Sequence, residues 1–280
     1  GRPPPAATPA PSSTGVPLPP RPYQVAIVTL SLVDTSRPTV SRGQVVAATR
    51  TLATVVWYPL IPVRAPLLLF APGFMVGPDT YRHLAETWAA AGYVVAAPEF
   101  PLTDAAVAGA ALDENDLENE PADVRFVRAS LLSPSNPVAE RIDPTRIGVA
   151  GHSDGAEVAL AVAQQGDGAV RAVMAFSAQP VTPHMAANPP LLVAQGSADD
   201  INPPDRAQAV YNQAANPRYL LTLVGAGHLP PFAGGSRWQP VVDQVSVDFL
   251  DRYLSGRSGS TVSLIADSHR PGLAGLQAQP

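Results

Sequence analysis

The 280-residue chain carries a formal net charge of −5, contains no cysteine and is 46% hydrophobic. The absence of cysteine excludes disulfides and thiolate metal sites, and a negative charge without a basic cluster argues against nucleic acid as a partner. No apolar run approaches the roughly 18 to 20 residues of a membrane span. The chain is long enough to bury a large core, and we expect a soluble monomer.

The two ends of the chain differ in composition from its middle. Residues 1–22 are rich in proline and cannot form a core, so we expect a disordered tail or linker. Tails of this kind often follow the export signal of secreted bacterial enzymes, which favours an extracellular protein over a soluble cytoplasmic one. Glycine, serine and proline return in residues 256–280, predicted as a partly flexible C-terminal extension. Residues 23–255 form the predicted single domain.

Apolar runs typical of strands alternate with helix-like segments along this domain. Strands are predicted at residues 23–33, 51–59, 66–70, 93–97, 147–150, 170–176, 190–195 and 219–224. Helices are predicted at residues 80–91, 156–163 and 206–212. This alternation indicates an α/β fold, in which a mostly parallel sheet of about eight strands has helices on both faces. The connection between the predicted strands at residues 170–176 and 190–195 is too short for a large lid.

The pentapeptide Gly151-His152-Ser153-Asp154-Gly155 lies between a predicted strand and a predicted helix. In this setting the G-x-S-x-G pattern forms a sharp turn that exposes the serine hydroxyl above the sheet, where a substrate carbonyl can reach it. The pattern alone is common, but its flanks favour Ser153 as a nucleophile over an ordinary turn serine. We interpret His152 as a residue that supports the turn.

A nucleophilic serine needs a base, and the base needs an acid that orients it. Asp199 follows one predicted strand in the sequence Gly-Ser-Ala-Asp, and His228 follows the next strand in the sequence Gly-Ala-Gly-His. Both lie at the carboxyl ends of strands, where the active sites of α/β sheets form. We therefore predict Asp199 as the acid and His228 as the base. Asp200 and Asp205 stay open, either as the acid or as caps of the following helix.

Several segments resemble the α/β-hydrolase superfamily, and within it the bacterial serine esterases described as platelet-activating-factor-acetylhydrolase-like, chlorophyllase-like and cutinase-type polyester hydrolases. These segments are Arg50 with residues 55–59, and residues 70–74, 91–95, 123–127, 151–155, 196–199 and 225–228. The resemblance covers most of the chain and implies an α/β-hydrolase fold without a large lid. It also implies the order nucleophile, acid, base that this sequence shows. Dienelactone hydrolase proper is excluded, because its nucleophile is a cysteine.

The resemblance further implies an oxyanion hole, in which two backbone N–H groups stabilise the negative charge of the reacting carbonyl oxygen. These groups belong to Asp154 and Phe74, with Met75 as the alternative if the turn is displaced by one residue. A core aromatic is the other interpretation of Phe74. Polyester hydrolases of this group usually carry methionine in place of Asp154. Since its carboxylate would oppose the developing charge, we expect it to be turned away, hydrogen-bonded or partly protonated.

An open cleft is expected around these residues, with substrate contacts from four side chains: Phe74, Met75, Leu102 and Phe232. Residues 180–189, which include His184 and Met185, are expected to line one wall. The acidic stretch at residues 113–120 lacks the spacing of an EF-hand. We interpret it as a solvated loop or the start of a helix, with a calcium site as the alternative.

These residues predict a serine-dependent carboxylic ester hydrolase that acts through an acyl-enzyme, without a metal or an organic cofactor. The expected substrates are polyesters such as PET-type aromatic polyester, or esters with short to medium acyl chains. A cofactor-free perhydrolase and a peptidase would use the same three residues and stay open. A non-catalytic ligand-binding module is the alternative from another class, against which the filled nucleophile, acid and base positions argue.

Overall fold

A computed structural model describes residues 18–164, 168–181 and 189–280. The strands are β1 Val25–Asp34, β2 Thr39–Ser41, β3 Gln44–Ala47, β4 Arg50–Pro59, β5 Ala65–Ala71, β6 Val94–Pro98, β7 Ile142–His152, β8 Val170–Phe176, β9 Leu191–Gly196, β10 Arg218–Leu223 and β11 Ala274–Gln279. The helices are α1 Arg82–Ala90, α2 Ala105–Ala108, α3 Glu120–Leu132, α4 Asp154–Gln164, α5 Pro204–Gln213, α6 Gln239–Tyr253 and α7 Ser260–Ser268. Most of the predicted proline-rich tail, and the wall residues His184 and Met185, lie outside the described ranges.

Within the described ranges, nine strands form one sheet in the order β1-β4-β6-β5-β7-β8-β9-β10-β11. The strands from β6 to β10 run parallel to their neighbours within that span. β1, β4 and β11 add antiparallel pairs at the two sides of the sheet. The predicted α/β fold with a mostly parallel central sheet is therefore confirmed. The hairpin of β2 and β3 lies outside this sheet.

The core consists of two apolar layers, one on each face of the sheet. All seven residues of β5 are buried, as expected for a parallel strand covered on both faces. Leu67 and Leu69 pack in the layer of α3, α4 and α5, whereas Leu68 and Phe70 pack in the layer of α1, α6 and α7. The continuous apolar run of this strand thus follows from its central position.

The C-terminal residues form a helix and a strand that pack on the domain. Leu264 of α7 is fully buried against the core, and β11 pairs with β10 over six residues. This segment supplies the ninth strand of the sheet, which the sequence analysis does not predict. β11 contains no β-branched or aromatic residue, so its sequence carries none of the usual strand signal.

The described strands place the predicted functional residues at one edge of the sheet. Phe74 follows β5, Ser153 follows β7, Asp199 follows β9 and His228 follows β10. Because these four strands are parallel, their carboxyl ends meet at the same edge. In the part of the chain that the structure describes, no helix is long and apolar enough to cross a membrane.

Candidate active site

The turn between β7 and α4 holds Ser153 in a left-handed conformation, with φ at 57°. A Cβ atom at Gly151 would lie 1.9 Å from the carbonyl oxygen of Gly155. One at Gly155 would lie 1.9 Å from the carbonyl oxygen of Ala71. Only glycine fits at both positions, so the two glycines allow the strained turn that the G-x-S-x-G pattern predicts. Ser153 lies partly exposed at the N-terminus of α4.

Asp199 and His228 are joined by a hydrogen bond. Nδ1 of His228 lies 2.8 Å from Oδ2 of Asp199 and 3.0 Å from Oδ1. Burial alone would raise the pKa of Asp199, but the hydrogen bonds from His228 and the Asn202 backbone hold it below its usual value. The carboxylate therefore stays ionised at neutral pH and fixes the proton of His228 on Nδ1.

The two alternative acids follow Asp199, one on the same loop and one in α5. Asp200 is exposed, and Asp205 is exposed in the first turn of α5. In contrast, Asp199 is 3% exposed and is the carboxylate that the structure brings to His228. The geometry favours Asp199 among the three, and Asp205 does not cap α5, whose N-cap position is held by Pro203.

The loop after β5 passes directly beside the nucleophile elbow, which is the turn at residues 151–155. A Cβ atom built at Gly73 would lie 3.2 Å from the Cβ of Ser153. The Gly73 N–H donates to the Tyr81 hydroxyl at 3.2 Å, and the Met75 N–H donates to the carbonyl oxygen of Thr103 at 2.8 Å. The N–H of Phe74, between them, donates to no other described residue. This arrangement favours Phe74 over Met75 as an oxyanion donor.

Asp154 begins α4, so its N–H has no acceptor within the helix. Its side-chain Oδ2 is buried without a hydrogen-bond partner among the described residues. Burial and the negative charge of Glu114 raise the pKa of Asp154 to about 6, although His228 opposes this rise. Of the three arrangements expected for this side chain, the raised pKa favours partial protonation at weakly acidic pH.

Two of the four predicted substrate contacts are corrected by the structure. Leu102 is 1% exposed, and Phe232 has no exposed surface. The Phe232 ring stacks on the Phe176 ring, with the two centroids 5.0 Å apart, and packs against His152. It therefore belongs to the core beneath the site. Its loop position after the histidine is no guide to this burial. Met75, by contrast, is 56% exposed, and Phe74 is partly exposed.

A family model described as PETase, PET hydrolase-like, matches residues 28–259. The chain belongs to the PET hydrolase-like family. It is therefore a carboxylic ester hydrolase with the α/β-hydrolase type of fold, as the resemblance in its sequence predicts. A search of curated proteins gives no match.

In this PET hydrolase-like protein, the acidic stretch at 113–120 is only partly solvated. Asp116 is buried and accepts two hydrogen bonds from Arg50, which makes two more to Asp123 of α3. Glu120 is also buried, bonded to the Thr103 hydroxyl. Across the described ranges, no group of three or more His, Asp or Glu side chains could hold a metal ion. The stretch thus anchors the loop to the core through Arg50.

A groove of about 700 Å³ begins at Asp154 and follows one face of α4. Its lining includes Gln179 and the carboxylates of Asp154, Glu157, Glu114 and Glu118. The sequence analysis does not identify this acidic wall, because the four carboxylates come from two separate segments.

Ile201 is another residue that the sequence analysis misses. Its side chain is 66% exposed, although its N–H donates to Oδ1 of Asp199 at 3.0 Å. An apolar residue two positions after the predicted acid is the only local signal for it. Tyr81 and His152, both buried beside the elbow, carry no sequence signal for a specific contact.

Proposed function

We propose that this protein hydrolyses carboxylic esters through an acyl-enzyme formed on Ser153. The observation that carries the proposal is the hydrogen bond between Asp199 and His228 at the sheet edge that also bears Ser153. A buried carboxylate, a histidine bonded to it and an elbow serine are the groups that acyl transfer through serine requires.

The bond to Asp199 assigns the roles of the two ring nitrogens of His228. With the proton on Nδ1, the neutral ring carries its basic lone pair on Nε2. In the proposed reaction, Nε2 takes the Ser153 proton while the serine oxygen attacks the ester carbonyl. His228 then gives this proton to the departing alcohol. Water, activated by the same nitrogen, hydrolyses the acyl-enzyme and releases the acid.

The carbonyl oxygen becomes negatively charged in both tetrahedral intermediates. We assign its stabilisation to the N–H groups of Phe74 and Asp154, on the loop beside Ser153 and at the start of α4. The N-terminal end of α4 adds a favourable dipole. Asp199 stabilises the cation that His228 becomes when it holds the serine proton.

Polyester is the substrate class that we propose, with esters of short to medium acyl chains as further substrates. A polymer cannot be enclosed, so it needs apolar groups exposed on an open surface. Met75 and Ile201 are 56% and 66% exposed, and both belong to loops that carry proposed catalytic groups. The family match supports polyester as the substrate.

Hydrolysis of a p-nitrophenyl ester series from acetate to palmitate tests this proposal, together with product release from an amorphous PET film. Wild type, Ser153→Ala and a control variant, Ser135→Ala at an exposed serine, are compared side by side. We expect turnover that Ser153→Ala abolishes and Ser135→Ala retains, with soluble products released from the film. Turnover of p-nitrophenyl esters without film release would contradict the polyester assignment, and no turnover of any ester would contradict the proposed function.

A further inference from the structure

Two buried polar side chains beside the elbow have no part in the reaction described above. Tyr81 is 1% exposed and His152 is 2% exposed. The Tyr81 hydroxyl lies 2.8 Å from Nδ1 of His152 and accepts the Gly73 N–H at 3.2 Å. At the other side of the ring, Nε2 of His152 lies 2.9 Å from the carbonyl oxygen of His228. The four residues form one continuous chain of hydrogen bonds.

The direction of each hydrogen bond follows from the groups at the two ends. The carbonyl oxygen of His228 can only accept, so Nε2 of His152 carries a proton. Burial and the neighbouring His228 lower the pKa of His152 to about 3, which keeps the ring neutral. Nδ1 of His152 is then an acceptor, and the Tyr81 hydroxyl donates to it. Each polar atom of the His152 ring has one fixed partner.

These hydrogen bonds connect two loops that follow strands far apart in the sheet. Gly73 follows β5 and precedes Phe74, whereas His228 follows β10, and three strands separate β5 from β10. The centroids of the His152 and His228 rings also lie 4.7 Å apart. In acyl transfer, the oxyanion donor and the base act on different oxygen atoms bonded to the same tetrahedral carbon, so their relative position affects the barrier.

We propose that Tyr81 and His152 are positioning residues that fix the Phe74 N–H relative to the imidazole of His228. The proposal rests on the proposed function, which gives Phe74 and His228 their roles. A loss of this connection leaves the substrate-contacting surface intact but weakens the stabilisation of the tetrahedral intermediate. The expected signature is a lower kcat with an unchanged KM.

The test compares Tyr81→Phe, His152→Leu and His152→Gln, the last of which keeps an N–H donor within reach of the His228 carbonyl. Tyr93→Phe is the matched control, because Tyr93 is an equally buried tyrosine that donates to Asp251 and directly precedes β6, at the amino end of that parallel strand. Kinetics with p-nitrophenyl butyrate are normalised to the fraction of enzyme that an aryl phosphonate titrates. The inhibition constant of a boronic acid, whose adduct is tetrahedral, is measured for each variant.

We expect Tyr81→Phe and His152→Leu to lower kcat by about tenfold or more, with KM within about twofold. The boronic acid should bind more weakly by a similar factor, and His152→Gln should recover part of the loss. Since the two residues act in one chain, the double variant should be little worse than the poorer single variant.

Normalised kcat values near the wild-type value in both Tyr81→Phe and His152→Leu would overturn the proposal. An equal loss in Tyr93→Phe would also overturn it, because the effect would then reflect general destabilisation. If Tyr81→Phe does not fold, the difference between His152→Leu and His152→Gln decides. Failure of the proposed function is a separate result: Ser153→Ala would keep its activity.

Discussion

Asp199, which is buried, and His228, which is partly exposed, form a pair in which Nδ1 of the histidine lies 2.8 Å from Oδ2 of the aspartate. Oδ1 of the same carboxylate accepts the backbone N–H groups of Ile201 and Asn202 at 3.0 and 2.9 Å. The backbone therefore holds the carboxylate in place independently of the histidine, and the histidine ring is oriented by a rigid partner.

Replacement of Asp199 should be far more damaging than replacement of its neighbour. Asp199→Asn removes the charge that stabilises the His228 cation, so we expect kcat to fall on the order of 10³- to 10⁴-fold. Asp200→Asn, the matched control at an exposed position, should retain activity within about twofold. Steady-state kinetics on p-nitrophenyl butyrate measure both. An unaffected Asp199→Asn enzyme would refute the choice of acid.

Asp154 should make activity depend on pH in a way that its amide variant removes. Its pKa is raised to about 6 by burial and by Glu114, so its negative charge develops as the pH rises through this value. Because that charge opposes the oxyanion, Asp154→Asn should match wild type near pH 5 and exceed its kcat/KM by about 3- to 10-fold near pH 8.

The ratio of kcat/KM between Asp154→Asn and wild type, measured across this pH range, is the test. Glu114→Gln removes one cause of the raised pKa. In an otherwise wild-type enzyme it should therefore move the midpoint of the Asp154 titration to lower pH. A ratio that does not change with pH would contradict this role of Asp154.

The order of Ser153, Asp199 and His228 can be predicted because each residue directly follows an apolar run, and parallel strands bring their carboxyl ends together. Long-range contacts have no such local pattern. Tyr81, directly before α1, and His152, at the end of β7, are 71 residues apart and meet only in the folded protein. The burial of Phe232 is also a long-range effect. This aromatic residue lies on the loop after His228, and it is buried because its ring stacks on Phe176 of β8.

The acidic stretch shows why charge alone does not predict exposure. The sequence around Asp116 is typical of a solvated segment, but Asp116 is buried against Arg50, which lies 66 residues away in the chain. Strand propensity likewise does not predict β11, because its residues are not typical of strands and it is stabilised by pairing with β10.

Arg50→Met should strongly destabilise the protein. Its guanidinium, 2% exposed, binds Asp116 and Asp123, whose side chains are fully buried. Without it the buried charge of Asp116 is uncompensated and Asp123 keeps only its ion pair with Arg37, so we expect a loss of about 3–5 kcal/mol in the free energy of unfolding. Arg82→Met, at an exposed ion pair with Asp79, should show no measurable loss. Urea denaturation compares the two, and equal small effects would contradict the prediction.

Asp248 on α6 should make the docking of α7 sensitive to pH. Burial, and then the negative charge of Asp267 on α7, raise the pKa of Asp248 to about 7. Because this folded-state pKa exceeds the unfolded value, the stabilising contribution is fully present below about pH 4 and is lost as the pH rises through about 7. Asp248→Asn stays neutral throughout.

We therefore expect the Tm of Asp248→Asn to exceed that of wild type by about 2–4 °C near pH 8, and the difference to narrow toward pH 4. Thermal melts across this range measure it, with Asp200→Asn as an exposed control. Parallel pH curves for wild type and Asp248→Asn would contradict the account.

The central claim is the acyl-enzyme on Ser153, and rapid mixing with p-nitrophenyl acetate tests it most directly. We predict a burst of one p-nitrophenolate per active site, with the acetyl group found by mass spectrometry on the peptide that contains Ser153. Ser153→Ala should show neither the burst nor the acetylated peptide. Steady turnover by Ser153→Ala at the wild-type rate, or acetylation at another residue, would contradict the account.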